Sequence, residues 1–348
     1  MLNDTISIDK VIGQFILPEP IKERPEGVLL AAEWPWEVHT RRAENIRLVY
    51  QSKSFEMAYT DLVPNTDSTT GPFRFTVSTD AWKVGYEASV EKEGLVYCAA
   101  NPDEEVMVVM ARSETTLSEW LNSSGLLLTL NDDRIIEGNL LYRPTWEKEP
   151  FDRSALRPLD WDGISLNVES QTEHRRQHSI QFKAISELKG DAVPWDIILD
   201  DDGSGEIADV VAMRIDDTGL AIRFVHCKYS HGEAPGARVA DLYEVCGQAQ
   251  KSVMWRRSDL TPFFSTLLDR ANKKQKRTGV SPFEVGDVRK LYELRDRAAL
   301  LRPQLDIVIV QPGLSASRAT TQQLDLLAST REYLNTTIKA PLAVWCSS

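Results

Sequence analysis

The segment 195–255 constrains the chain most, because two strand-like runs enclose a polar turn that contains glycine. The first run carries Asp209, and the second ends in His226, Cys227 and Lys228. Side chains of a strand alternate between its faces, so His226 and Lys228 share one face while Cys227 points the other way. If the strands pair, an acid, an imidazole and an amine converge at one end of a largely apolar surface. Its apolar residues are Val211, Met213, Ile215, Leu220, Ile222 and Phe224.

This set of side chains suits the cleavage of a phosphodiester bond. A carboxylate can hold Mg²⁺, the metal stabilises phosphate charge, and a lysine orients or activates the attacking water. The pattern therefore predicts a metal-dependent nuclease site, with Asp209 and Lys228 as its first candidates.

The same residues resemble the PD-(D/E)XK nuclease superfamily and, within it, the Mrr-like restriction endonucleases. The family pattern is a glycine-rich turn into a strand with a metal-binding aspartate, then a strand ending in an acid or glutamine, any residue, and lysine. The matching stretches are Gly203–Val211 and His226–Tyr229, in which Asp209 and Lys228 fit the pattern directly. His226 departs from it, which leaves the metal with one fewer anionic ligand.

The resemblance implies a role for each of these residues. Asp209, the backbone carbonyl of Cys227 and Glu187 would hold Mg²⁺ or Mn²⁺. Lys228 would position the hydroxide and stabilise charge in the transition state. His226 is open to three roles, as a metal ligand, a hydrogen-bond donor to phosphate or a general acid/base, because its unperturbed pKa of about 6.5 suits all of them.

Two further candidates, Glu187 and Gln250, lie on predicted helices. Glu187 projects beside the apolar stripe of a helix predicted over 179–188, where related nucleases often place a metal-binding Glu. A solvated glutamate near the helix end is the alternative. Gln250 faces the core from a helix predicted over 239–255, at a place where related nucleases carry a glutamine, and a buried glutamine needs hydrogen-bond partners.

The acids of the turn before Asp209 have simpler interpretations. Asp200–Asp202 are predicted to cap or solvate a hairpin turn. Glu206 is a second-choice ligand, because in a strand it would point to the face opposite Asp209.

Charge is distributed unevenly along the chain, and this bears on a nucleic-acid partner. The net charge is −12, and residues 1–160 hold 16 Lys and Arg against 27 Asp and Glu. Residues 251–302 reverse the balance, with 13 basic and 6 acidic residues. Because affinity for nucleic acid depends on local neutralisation of phosphate, we expect this stretch to contact DNA, with a solvated surface as the alternative. Its candidate contacts are Arg256, Arg257, Lys273 and Lys274.

The chain divides into two predicted domains of α+β or α/β class. Residues 1–158 read as a β-rich accessory domain for substrate or partner binding, and residues 159–348 as a nuclease domain with a restriction-endonuclease-like α-β-β-α-β core and a mixed central sheet. The proline- and charge-rich stretch 143–158 marks the boundary. Trp34 and Trp36 suggest base stacking, but the acids beside them favour packing instead.

Strands and helices are predicted from alternation and helical spacing. The predicted strands include Val28–Ala32, Ile46–Tyr50, Phe73–Val77, Leu95–Cys98, Val106–Met110, Leu126–Leu130, Asp306–Val310 and Pro341–Trp345. Besides the two helices above, helices are predicted over 116–122 and 319–336, and in part over 262–302.

Segments across the chain also resemble the nuclease-bearing C-terminal region of bacterial DEAD/DEAH-box helicases, which are associated with defence against phage and plasmids. The segments are 136–144, 169–171, 179–181 and 235–238. The chain has no Walker A loop for a motor. The resemblance therefore implies a standalone DNA endonuclease, with RNA as the alternative substrate, supplied with targets by a separate helicase, Argonaute-like or sensor protein.

Composition sets the remaining expectations. No stretch approaches the ~20 apolar residues needed to span a bilayer, the N-terminus lacks the pattern of a secretory signal, and the four cysteines are scattered without metal-ligand spacing. We expect a cytoplasmic protein without membrane contact, with a homodimer left open. The competing function is a catalytically weak nuclease fold that binds nucleic acid or a partner protein.

Overall fold

The protein is described by a computed structural model that covers residues 18–35, 38, 46–65, 68–92, 94–111, 113–132, 134–143, 149–217, 219–255 and 260–348. Within these ranges the chain forms four sheets, three from its N-terminal half and one from its C-terminal half. It is a mixed fold of helices and strands, which confirms the expected class.

The N-terminal half consists mainly of antiparallel strands. Strands β1 to β13 are Pro18–Pro20, Leu29–Glu33, Arg47–Tyr50, Lys53–Glu56, Asp61–Pro64, Phe73–Ser78, Lys83–Glu91, Gly94–Ala99, Met107–Met110, Ser113–Thr116, Leu127–Leu130, Ile135–Glu137 and Leu140–Tyr142. They form sheets in the orders β1-β13-β12-β11-β2, β10-β9-β3-β4 and β5-β6-β7-β8. The helix α1, Leu117–Ser124, begins with a capping box between Thr116 and Glu119. The strands and the helix predicted for this half are confirmed.

The C-terminal half alternates strands and helices around one sheet. Its strands β14 to β20 are Leu156–Pro158, Ile197–Asp200, Val210–Asp216, Gly219–Cys227, Phe283–Val285, Pro303–Ser315 and Leu342–Ser347. Its helices α2 to α6 are Ile180–Lys189, Ala240–Lys251, Thr261–Thr278, Val288–Ala298 and Thr321–Ile338. The seven strands lie in the order β14-β20-β19-β17-β16-β15-β18.

The central sheet mixes antiparallel and parallel pairing, as expected. The pairs β18–β15, β15–β16 and β16–β17 are antiparallel, and the pairs β17–β19, β19–β20 and β20–β14 are parallel. Side chains on both faces of β17 are buried, with Phe224 in one apolar core and Val225 in the other. Burial on both faces explains why these strands read as nearly continuous apolar runs.

The structure corrects one expectation about this half. The predicted pair of strands after the first helix omits β15, a fully buried strand of only four residues that precedes the acidic turn. A short strand gives too few residues for alternation to be recognised. Within the stretch predicted as the domain boundary, β14 pairs with β20 and so belongs to the sheet of the C-terminal half.

The two halves pack tightly against each other. Leu30 of β2 is buried in the same apolar core as Leu242 and Val245 of α3. A Cβ atom on Gly247 of α3 would lie 2.3 Å from the carbonyl oxygen of Leu30, so only glycine allows this approach. None of the helices in the described part of the chain is long and apolar enough to cross a bilayer.

Candidate metal centre

Three carboxylates meet at the turn between β15 and β16. One oxygen from each of Asp202, Glu206 and Asp209 lies within 4.8 Å of the others. Asp209 is 2% exposed, whereas Asp202 and Glu206 are partly exposed to solvent. We call these three residues the acid cluster. It combines a buried base with an open side, as a site for a hydrated cation requires.

The turn that carries the acid cluster is fixed by glycine and by the N-terminal half. Gly205 adopts a φ of +71°, and its N–H donates to Oδ1 of Asp61 over 2.8 Å. A Cβ atom at Gly205 would lie 2.4 Å from Cα of Tyr59. Glu206 closes the turn, because its Oε2 accepts the N–H of Gly203 over 3.0 Å. The turn therefore holds Glu206 beside Asp209, although a regular strand would separate them.

Asp209 is held at the end of the paired strands. Its Oδ2 accepts the backbone N–H of Cys227 over 2.9 Å. Burial, and then the charges of Glu169 and Asp202, raise the pKa of Asp209 well above its ordinary value. The Cys227 hydrogen bond and the charge of Lys228 oppose this rise. The positive charge of Lys228 and the Cys227 hydrogen bond therefore do not fully offset the burial and repulsion at this carboxylate.

The pKa values of the other two carboxyl groups in the acid cluster are also raised. Burial and the charges of Asp209 and Asp202 raise the pKa of Glu206 well above its ordinary value, against the opposing charge of Arg270. Burial also raises the pKa of Asp202, and Lys274 opposes it. Three carboxylates that repel one another are stabilised together by a bound cation.

Lys228 lies just beyond β17 and is 7% exposed. Its Nζ lies 2.7 Å from Oε1 of Glu244 and 3.2 Å from Oε2 of Glu169. Burial alone would lower the pKa of Lys228, but the two carboxylates outweigh burial and raise it. Lys228 is therefore a fixed cation at neutral pH and does not serve as a base.

Glu169 is a site residue that the sequence analysis did not select. Its Oε2 accepts the N–H of Tyr229 over 3.0 Å, in addition to its ion pair with Lys228. Burial raises the pKa of Glu169, and Lys228 opposes the rise. The residue stands in the loop before α2, where no periodic pattern points to it. Its only signal was its place in a segment resembling the helicase-linked nucleases.

His226 is placed differently from its neighbours in the motif. The ring is 2% exposed, and its Nε2 lies 2.8 Å from Oγ of Ser252. Its Nδ1 has no hydrogen-bond partner among the described residues. Burial, and then the charge of Lys251, lowers the pKa of His226 to about 3. The imidazole is therefore neutral at physiological pH, and it is not one of the three members of the acid cluster.

The remaining candidate site residues, Glu187, Cys227 and Gln250, lie in different surroundings. Glu187 forms ion pairs with Arg157 at 2.7 Å and Lys183 at 3.0 Å, and is likewise not a member of the acid cluster. Cys227 contacts Asp209 through its N–H, whereas the resemblance implied a role for its carbonyl. Gln250 is fully buried, and neither atom of its amide has a hydrogen-bond partner among the described residues.

Two of the four predicted DNA contacts, Lys273 and Lys274, form ion pairs within the molecule. Nζ of Lys274 lies 2.6 Å from Oδ1 of Asp200, and Lys273 pairs with Asp269 at 2.9 Å and Glu56 at 3.2 Å. Arg256 and Arg257 lie outside the described residues, as does Trp36.

Of the two roles predicted for Asp200 and Asp201, the structure shows capping of the turn. Oδ1 of Asp200 accepts the N–H of Asp202 over 3.2 Å, and Oδ2 of Asp201 accepts the N–H of Ile207 over 2.8 Å. Asp200 and Asp201 are not solvated, being 4% and 3% exposed. Asp201 pairs with Arg270 at 2.7 Å, and Asp200 with Lys274. Cations from α4 thus replace the solvent that the turn would otherwise need.

Comparisons with known proteins add no assignment to this geometry. The chain matches no protein-family model, no curated protein and no solved structure.

Proposed function

We propose that this protein is a metal-dependent nuclease that hydrolyses phosphodiester bonds, with DNA as its substrate and RNA as the alternative. The observation that carries the proposal is the position of the acid cluster beside a buried, protonated lysine. Asp209 and Lys228 are close enough for the lysine charge to lower the pKa of the carboxyl group. These are also the two residues that fit the PD-(D/E)XK pattern in the sequence.

The residues present fit Mg²⁺ or Mn²⁺. Asp202, Glu206 and Asp209 offer carboxylate oxygens within 4.8 Å of one another, and hard divalent cations prefer oxygen ligands. Burial and repulsion by neighbouring carboxylates raise the pKa of all three carboxyl groups, and a bound cation would favour their ionised forms. When bound, such a cation withdraws charge from the phosphate and lowers the pKa of water. Glu187 and the Cys227 carbonyl are not needed for this set.

The protein's own side chains would orient the substrate and balance its charge. Lys228 would hold a non-bridging phosphate oxygen and stabilise the negative charge that develops during attack. Glu169 and Glu244 fix the ammonium group from two sides, so Lys228 needs little reorganisation when the phosphate arrives. Glu169 is thus a positioning residue for Lys228.

The biological setting proposed for this activity is bacterial restriction or defence against phage and plasmids, on the resemblance to helicase-linked nucleases. Lys273 and Lys274 are already ion-paired, so delivery of DNA would depend on Arg256 and Arg257, on other exposed basic residues of the stretch, on the N-terminal half, or on a separate helicase or Argonaute-like partner. Association in the form of a homodimer stays a prediction.

A second function is favoured by one observation, the position of His226. Relatives carry an acid or glutamine there, whereas this ring bonds Ser252 and is neutral. A fold with a weakened metal site would bind nucleic acid or a partner without cutting.

Cleavage assays separate the two functions. Purified protein should cut plasmid or linear DNA with Mn²⁺ or Mg²⁺ and should not cut it with EDTA, and a parallel RNA substrate decides between the two polymers. Binding without cleavage in every metal would favour the second function. A Glu187→Gln variant should retain cleavage, because the carboxylate of Glu187 pairs with Arg157 and Lys183 and is not part of the acid cluster.

A further inference from the structure

A cavity of about 520 Å³ lies between the two halves of the chain, next to the acid cluster. Small-molecule sites commonly span about 300–1,000 Å³. Apolar side chains from both halves form part of its wall, among them Trp34, Leu62, Ile207, Met254 and Trp255. We call it the interdomain cavity. Glu206 belongs both to its wall and to the acid cluster, so the two sites are continuous.

One oxygen of a buried carboxylate in this wall lacks a hydrogen-bond partner in the described part of the chain. Glu33, the last residue of β2, is 8% exposed, and its Oε1 has no hydrogen-bond partner among the described residues. Leaving a buried acceptor unsatisfied is costly, and more so when the group is charged. A ligand that donates an N–H to Glu33 would satisfy it.

Other acids of the cavity are already engaged. Asp61 accepts the N–H of Gly205 over 2.8 Å, and Oδ2 of Asp269 accepts the hydroxyl of Tyr59 over 2.6 Å. Oε1 of Glu33 therefore differs from these acids, because among the described residues it has no hydrogen-bond donor.

The charge of the wall restricts the ligand further. Carboxylates outnumber ammonium groups among the lining residues, which include Glu33, Glu56, Asp61, Glu206 and Asp269 against Lys251 and Lys273. A phosphate inside the cavity would be repelled. A flat, neutral group with N–H donors at its edge fits both the acids and the apolar side chains, and a nucleobase has this chemistry.

We propose that the interdomain cavity takes one unstacked nucleobase of the strand being cut, and that Glu33 accepts a hydrogen bond from the exocyclic amino group of that base. The inference rests on the proposed nuclease function. That function places the scissile phosphate at the acid cluster, and the neighbouring base would then lie beyond Glu206, in the interdomain cavity. Cytosine, guanine and adenine carry the amino group, whereas uracil, thymine and hypoxanthine do not.

Free deoxynucleosides test this without metal or cleavage. Calorimetry or ligand-observed NMR on the full chain in EDTA at pH 8, which is above the raised pKa of Glu33, should show binding of deoxycytidine and deoxyguanosine. Deoxyuridine and deoxyinosine lack the amino group at the corresponding position. Their affinity should be lower by at least about tenfold, as expected for loss of a hydrogen bond to a charged group.

Variants of Glu33 assign the contact. Glu33→Met should weaken deoxycytidine binding by about tenfold or more and remove the preference over deoxyuridine. Glu33→Gln keeps an acceptor of the same shape and should retain part of the preference. Glu23→Met, at an exposed position, is the matched control and should bind as the wild type does.

Three results would overturn the inference. They are the absence of nucleoside binding, equal binding of nucleosides with and without the amino group, and an unchanged preference in folded Glu33→Met. Glu33-dependent binding of spermidine in place of nucleosides would reassign the cavity to an organic cation. Metal-dependent cleavage without nucleoside binding would contradict the assignment of the interdomain cavity and leave the proposed nuclease function intact. Nucleoside binding without cleavage would contradict the proposed nuclease function instead.

Discussion

Nζ of Lys228, just beyond β17, lies 3.2 Å from Oε2 of Glu169, which stands in the loop before α2. With Glu244 on the other side, this contact keeps the lysine protonated although it is nearly buried. Lys228 thus places an ammonium group, held by two carboxylates, at the edge of the acid cluster, where a phosphate and a divalent cation could both be bound.

Replacing Lys228 tests its role as the fixed cation. Lys228→Met should lower the cleavage rate by about a hundredfold or more, because an electrostatic contact in the transition state is lost. Affinity for Mn²⁺ should not fall, since Lys228 is no metal ligand and its charge opposes a cation. Single-turnover cleavage and calorimetry measure the two effects. Lys83→Met, at an exposed position outside the site, is the control, and a similar loss of rate in that variant would argue against a specific role for Lys228.

The neutral state of His226 leads to a prediction about pH. Because the pKa of His226 is lowered to about 3, the ring should not titrate between pH 6 and 9. The cleavage rate of His226→Gln, whose amide can still reach Ser252, should then follow pH with the same shape as the wild type. A limb near neutrality that disappears in the variant would show that His226 moves a proton during catalysis.

Glu33 should make stability depend on pH. Burial raises its pKa from 4.5 to about 7, with Lys251 opposing, so the folded chain binds this proton more tightly than the unfolded chain. The contribution of Glu33 to the free energy of unfolding is therefore fully present below about pH 4.5, and it is lost as the pH rises through 7. The loss is on the order of 3 kcal/mol in the free energy of unfolding.

Urea denaturation of Glu33→Met at pH 5 and pH 8 checks this sign. The variant should gain more stability over the wild type at pH 8 than at pH 5. Glu23→Met should show no such difference, and an equal effect of Glu33→Met at both values would contradict the account.

Two adjacent lysines of α4 should behave differently. Lys274 pairs with the buried Asp200, so Lys274→Met would strand a buried charge and lower the free energy of unfolding by about 3 kcal/mol or more. The side chain of Lys273 is half exposed, and Lys273→Met should cost about 1 kcal/mol or less. Denaturant titrations of both variants measure this contrast, and a small effect at Lys274 would return it to the candidates for DNA contact.

Much of the fold could be predicted from periodicity. The runs that became β16, β17 and β19 are apolar enough to indicate buried strands, and the apolar stripe of α2 is evident at helical spacing. β15 could not be found in this way, because it has only four residues, and its last residue, Asp200, begins a run of three aspartates that is typical of a turn.

The candidate site was predictable only in part. Asp209 and Lys228 follow from a local motif, and the structure brings them together. Glu169 and Asp202 depend on how loops fold in three dimensions, which alternation within a strand does not encode. The turn at Gly205 places Glu206 beside Asp209, against the strand pattern. His226 of β17 bonds Ser252, the residue after α3, a tertiary contact that no spacing rule predicts.

The central claim is that the acid cluster binds the metal that drives cleavage, and Asp209→Asn tests it most directly. The amide keeps the shape of the side chain and can still accept the Cys227 N–H, so the variant should fold, as circular dichroism would show. Mn²⁺ binding by calorimetry and Mn²⁺-dependent DNA cleavage should both be lost in Asp209→Asn and both be retained in Glu187→Gln. Wild-type metal affinity and cleavage in folded Asp209→Asn would contradict the account.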